Sequence, residues 1–126
     1  MFTLVYTSRM PASTANTTLT DLLVAARAKN ASLGVTGLLL HKSGKVMQAL
    51  EGDEATVRAL VAVISLDPRH KDFWVITEEN RDTRFFADWS MRFIEPTDAQ
   101  LDVIGPNYWA ESRADELLTW FSNNQV

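Results

Sequence analysis

Two apolar stretches, residues 34–40 and 45–50, are separated only by His41-Lys42-Ser43-Gly44. A short polar connection with Gly late in it, set between runs rich in Val and Leu, is the pattern of a β-hairpin. On either side the apolar residues fall at helical rather than alternating spacing. Leu19, Leu22, Leu23, Ala26 and Asn30 mark one stripe, and Val57, Leu60, Val61 and Ile64 mark another. Residues 2–7 and 73–77, with many β-branched and aromatic side chains, place a strand before the first helix and another after the second. A hairpin bracketed by two helices and two outer strands matches the β-α-β-β-α-β order of a ferredoxin-like sheet.

Residues 89–94 add one more strand before Glu95-Pro96, with Trp89, Met91 and Phe93 alternating onto one face. Local signals punctuate the elements. Thr18 with Asp21 resembles a capping box, Glu51-Gly52-Asp53 offers a stop and a cap, and Asp67-Pro68 ends the second helix. Residues 78–84 read as a charged turn or loop. Thr97 with Gln100 forms a second capping-box pattern, Gly105-Pro106 breaks the segment after it, and Ala114, Leu117, Leu118 and Phe121 stripe a terminal helix. The expected class is α+β: a ferredoxin-like sheet with an added strand and a C-terminal helical cap, divided into a core over residues 1–95 and the cap over 96–126. The cap is expected to cover the sheet face that the two helices leave bare.

At 126 residues the chain suits one domain, without space for a second catalytic unit. A composition 46% hydrophobic and 22% charged belongs to a folded globular protein. A formal charge of −4 provides no net attraction to a phosphate backbone, so no direct nucleic-acid ligand is expected. The absence of Cys removes disulfides, thiolate metal sites and cysteine nucleophiles. Apolar runs are far shorter than the roughly 20 residues of a membrane span, and the first strand begins without a leader pattern. The reading is a cytoplasmic protein with no membrane contact and no metal.

Three polar residues interrupt faces whose periodicity is otherwise apolar: Tyr6 on the first strand, Asn30 on the first helix and Gln48 on the third strand. A buried amide without partners costs roughly 1–3 kcal/mol, so such groups need partners in the protein or in a ligand. Internal hydrogen bonding accounts for any one of them alone. Together, two amides and a phenol suit a flat heteroaromatic ligand with mixed donor and acceptor edges. A flavin ring fits that description, with apolar faces lying between Leu22 of one helix and Ile64 of the other, but periodicity alone does not name it.

A resemblance does. Val5-Tyr6-Thr7-Ser8, Ala26-Arg27-Ala28-Lys29-Asn30, Gly34-Val35-Thr36-Gly37-Leu38-Leu39, Gln48-Ala49-Leu50-Glu51-Gly52, Asp67-Pro68-Arg69-His70 and Asp88-Trp89-Ser90-Met91 resemble the BLUF family signature in order and spacing. The resemblance covers roughly residues 1–95. It implies a blue-light photoreceptor with FAD, or another flavin such as FMN or riboflavin, held noncovalently between the two helices. Tyr6 and Gln48 would be the photoactive pair, and Asn30 would bind the carbonyl and N–H edge of the ring. Arg69 and His70 would lie near the same pocket, and Lys29 near the phosphate tail. Trp89 and Met91 would relay the change to the C-terminal helices. Val46 and Ala31 depart from the family pattern, which commonly has an aromatic and a second amide there.

On this reading the chain is a switch and not an enzyme. Its signal passes to a separate effector protein or into a change of homo-oligomer state. Two rivals remain at the level of sequence: an acylphosphatase-like hydrolase, which lacks the required glycine-rich loop, and a light-insensitive ligand-binding or regulatory module. An absorption spectrum separates them: the photoreceptor should purify yellow and show a small reversible red shift under blue light. Folded protein that gains no flavin after reconstitution with FAD or FMN would overturn it.

Overall fold

The structure, a computed structural model, describes residues 1–9, 16–42, 44–66, 71–84, 86 and 92–100; within the first helix, side chains are described from Val24 onward. Among these residues the elements run β1 (Phe2–Arg9), α1 (Asn16–Leu33), β2 (Thr36–Lys42), β3 (Lys45–Gly52), α2 (Glu54–Ser65), β4 (Lys71–Asn80) and β5 (Arg92–Ile94). They form one five-stranded sheet in the order β4-β1-β3-β2-β5. The first four strands pair antiparallel, and β5 joins the β2 edge in parallel. This is the expected ferredoxin-like sheet with its added strand.

Packing follows from alternation along the strands. Phe2, Leu4 and Tyr6 of β1, Leu39 of β2 and Val46 and Leu50 of β3 meet Val57, Leu60 and Val61 of α2 in one buried cluster. The opposite parity, with Thr3, Val5, Leu38, Leu40, Met47 and Ala49, is buried as well. Each large aliphatic side chain taken from water contributes about 1.5–3 kcal/mol, so the central strands are anchored from both faces.

Helix ends are set by local chemistry. At the end of α1, Val35 N–H donates to Asn30 C=O at 2.9 Å and Gly34 N–H to Ala31 C=O at 3.4 Å. This paired closure requires a left-handed residue, and Gly34 supplies it with φ 69°. Gly52 ends β3 where an added Cβ would stand 3.2 Å from Val35 Cγ2 and 3.4 Å from Val57 Cγ2, so its small size lets strand and helix approach. Asp53 then caps α2, its carboxylate accepting from Thr56 N–H at 3.3 Å. The second capping box also forms: Thr97 N–H donates to Gln100 Oε1 at 2.9 Å, and Gln100 N–H to Thr97 Oγ1 at 3.1 Å.

Three expectations are corrected. First, α1 begins at Asn16, so Thr18 and Asp21 lie inside it rather than at its cap. Second, His41 and Lys42 belong to β2, because the hairpin closes on the Lys42↔Lys45 pair with Gly44 at φ 83°. Third, β4 continues to Asn80, placing Glu78 and Glu79 in the sheet rather than in a turn. The cause is a bulge: Val5 faces Thr77 while Tyr6 faces Val75, leaving Ile76 as the extra residue. Parity changes there, and Phe73, Val75 and Glu78 all reach the helix face. Simple alternation therefore stops reading as strand at the point where the strand continues. A second irregularity, between Thr7 and Arg9, coincides with Asp72 at φ 52°, a conformation that Asp tolerates better than most residues.

The Gly105-Pro106 break, the terminal stripe and nearly all of the cap lie outside the described residues. Asp53→Ala should lower stability by about 1 kcal/mol through loss of the α2 cap. A lower urea midpoint with an unchanged slope is the expected reading.

Candidate functional site

Register brings the first two site residues together. Pairing of β1 with β3 sets Tyr6 directly opposite Gln48, and the Tyr6 hydroxyl donates to Gln48 Oε1. Tyr6 is 1% exposed and Gln48 6%, so the bond lies within the core. The Phe73 ring stacks on Tyr6 with centroids 4.6 Å apart and planes 29° apart. Burial pushes the Tyr6 phenol well above the ordinary tyrosine range. The phenol is thus kept neutral, with its hydroxyl on the amide carbonyl.

The same rung continues across the whole sheet. Val75 of β4 faces Tyr6, Gln48 faces Leu39 of β2, and Leu39 faces Phe93 of β5. Phe93 packs against the core cluster that contains Tyr6. One row of side chains thus joins the polar pair to the outermost strand.

Asn30 is buried near the end of α1, at 2% exposure, and its carbonyl is engaged by the helix closure. Lys29 precedes it, turned by about 100° around the helix, and lines an inter-helix cleft with Leu33. Ala55, Thr56, Ala59, Leu60 and Val63 of α2 form the other wall of this cleft, whose volume is about 380 Å³. Such a volume falls in the roughly 300–1,000 Å³ range of small-molecule pockets. Leu60 belongs both to the cleft wall and to the cluster around Tyr6.

Arg69, His70, Trp89 and Met91 lie outside the described residues, as does the side chain of Leu22. Ile64, the expected facing residue on α2, is partly buried against the core. Sequence reasoning did not single out Phe73, whose place over Tyr6 depends on the Ile76 bulge. It also missed Glu51, fully buried at the end of β3. The signal available for Glu51 was a carboxylate at the end of a strand buried on both faces.

A ferredoxin-like sheet with two helices, a buried phenol–amide pair and an inter-helix cleft defines a small α+β domain with room for one ligand. The BLUF family profile, sensors of blue-light using FAD, matches residues 1–92. The chain belongs to the BLUF family of blue-light photoreceptors, whose shared domain is a flavin-binding sensor module. Photoactivated adenylate cyclase subunit beta of Euglena gracilis is 31% identical over 86 residues, 68% of this chain and 9% of that protein. The chain spans only 7–9% of the length of such curated relatives. The dark-state structure of BlrB, a BLUF protein, superposes with a TM-score of 0.84 at 28% identity, covering 97% of this chain and 95% of that one. BlrP1 of Klebsiella pneumoniae, solved with FMN and cyclic diGMP, gives a TM-score of 0.74 at 30% identity, covering 98% of this chain and 34% of that one.

The residues present fit a flavin. Ala55 and Ala59 leave room on the α2 wall, while Leu33 and Val63 expose apolar surface at 41% and 59% that a flat ring would cover. Lys29 adds a cation at the cleft edge. Among the described residues no group of His, Asp and Glu could hold a metal ion, and no helix is long and apolar enough to cross a membrane.

The Tyr6 environment generates a pH prediction. Unfolded chain ionises its phenol near pH 10, whereas the folded chain holds the proton to a higher pH. Stability from this group is therefore complete below about pH 10, declines once the unfolded state ionises, and goes on declining up to the folded value. Native tyrosinate absorbance that develops at about pH 10 should contain no contribution from Tyr6, so the Tyr6→Phe variant should show the same native titration there as the parent.

Proposed function

We propose that the chain is a photoswitch in which Tyr6 and Gln48 form the light-responsive pair, Asn30 holds the flavin's polar edge, and FAD is the native flavin. The observation that carries this reading is the buried hydrogen bond from Tyr6 to Gln48 Oε1. When bound, the flavin supplies absorption in the blue and an acceptor for an electron. Tyr6 would be the residue that gives up an electron and then its phenolic proton, and that takes both back as the ground state is restored.

What persists is the state of Gln48. Its amide presents a carbonyl acceptor at one corner and an NH2 donor at the other. Rotation of the side chain, or its conversion to the imidic tautomer, exchanges donor for acceptor toward Tyr6. Each changed bond is worth about 0.5–1.5 kcal/mol. At 6% exposure Gln48 has little water to absorb the change, so neighbouring protein groups must respond. No substrate is consumed, and the two states differ only in relative stability.

The row from Gln48 through Leu39 to Phe93 supports β5 as the receiver, with Trp89 and Met91 as the relay residues just before it. In this proposal residues 1–95 are the sensor core, and 96–126 the segment that passes the signal on. Arg69 and His70 border the flavin pocket, and Lys29 serves the phosphate tail. Output goes to a separate effector protein or into homo-oligomer state; Trp74 and Leu66, exposed at 61% and 83%, offer apolar surface for such contacts.

Tyr6→Phe and Gln48→Leu should keep flavin bound and lose the reversible red shift, read by absorption difference spectra. Asn30→Ala should weaken flavin binding by roughly 5- to 150-fold, as expected for about 1–3 kcal/mol of lost hydrogen bonding. A full-size shift in either of the first two variants would refute the assigned pair.

A further inference from the structure

Among the described residues, the photoswitch reading leaves one buried carboxyl side chain without a role. Glu51 is 0% exposed at the end of β3. It lies three positions beyond Gln48, so alternation turns it to the opposite face. Its Oε1 accepts from the Thr36 hydroxyl at 3.1 Å and from the backbone N–H of Phe86 at 2.9 Å. Arg84 closes the cluster, donating to Thr36 Oγ1 at 2.8 Å, to Gly34 C=O at 2.8 Å and to Glu51 C=O at 3.4 Å. Phe86 itself is 2% exposed.

These bonds tie the connection between β4 and β5 to the β2 and β3 ends. The tie matters because β5, described over Arg92–Ile94, pairs parallel and sits at the sheet edge. An edge strand paired on one side has less pairing to fix its place than the strands inside the sheet. A buried side-chain oxygen that accepts both a hydroxyl and a backbone N–H is costly to leave without them, so the bonds hold the two segments together.

We infer that Glu51, held by Thr36 and Arg84, is a positioning residue that fixes the entry into β5 and couples β3 to it across the back of the sheet. Gln48 and Glu51 stand about 10 Å apart along one strand. A shift of β3 at Gln48 reaches Phe86 through the Glu51 carboxylate, in parallel with the row through Leu39 and Phe93. The coupling half of this inference rests on the photoswitch reading; the positioning half does not.

Amide hydrogen exchange on the flavin-loaded full chain tests both halves. Glu51→Gln removes the charge, and Thr36→Val removes the bridging hydroxyl at nearly constant shape. In the dark, each should speed exchange at Phe86 and Arg92–Ile94 at least tenfold while Leu4 and Val5 of β1 stay within twofold of the parent. Under blue light each should keep a full-size red shift, because the cluster lies on the face away from Tyr6, yet lose at least half of the parent's light-dependent exchange change at Arg92–Ile94. Unchanged dark exchange at Phe86 and β5 in both variants overturns the positioning role, as does an equal acceleration throughout β1. No light-dependent change at β5 in the parent, or the same change in both variants, overturns the coupling. A parent without any red shift refutes the photoswitch and the coupling with it, and leaves the dark comparison to decide the positioning role.

Discussion

The pairing of β1 with β3 is the constraint on which the rest depends. Eight consecutive pairs, from Phe2↔Gly52 to Arg9↔Lys45, hold the two strands in one register. A slip of a single residue would turn every side chain of one strand to the other face. Tyr6 would then leave Gln48, and Leu4 and Phe2 would leave the cluster beneath α2. Apolar burial on both faces opposes that slip. The hydrophobic core therefore does more than stabilise the fold, because it sets which two polar groups meet.

Placing a phenol and an amide in such a core breaks the local rule that buried positions are apolar, and departures of this kind belong at functional sites. The arrangement is tolerable because the two groups satisfy each other. It is also sensitive for the same reason: with Tyr6 at 1% exposure and Gln48 at 6%, an exchange of donor and acceptor cannot be met by bulk water. Phe73 adds a face to the phenol, and burial keeps its proton in place at rest. A small change in one amide is thus transmitted as a demand on protein neighbours.

Those neighbours are unequal. The inner strands are paired on both sides, whereas β5 lies at the sheet edge with one partner among the described residues, so movement there is less opposed. One connection leads to it from β3 through the row of Leu39 and Phe93, and the proposed second one starts from Glu51 at Phe86. They lie on opposite faces of the sheet.

Much of this was legible from residue order. Helical spacing identified Val57, Leu60 and Val61 as the buried stripe of α2 and placed Asn30 on the buried side of α1. Asp53 and the Thr97–Gln100 box acted through bonds spanning a few residues, which local chemistry settles by itself, whereas Gly34, read with the strand run, closes α1 instead. The α1 start was misread because a capping-box pattern can also occur inside a helix. Alternation on β1 and β3 showed that Tyr6 and Gln48 each face inward, and the family motifs joined them as a pair. That they touch was decided by the sheet, since they stand 42 residues apart and only register brings them together. The same holds for the Ile76 bulge that carries Phe73 onto Tyr6, and for Glu51 meeting Phe86 across 35 residues. Periodicity determines which face a side chain takes; which side chain waits there is settled only when strands distant in sequence pair and exclude water.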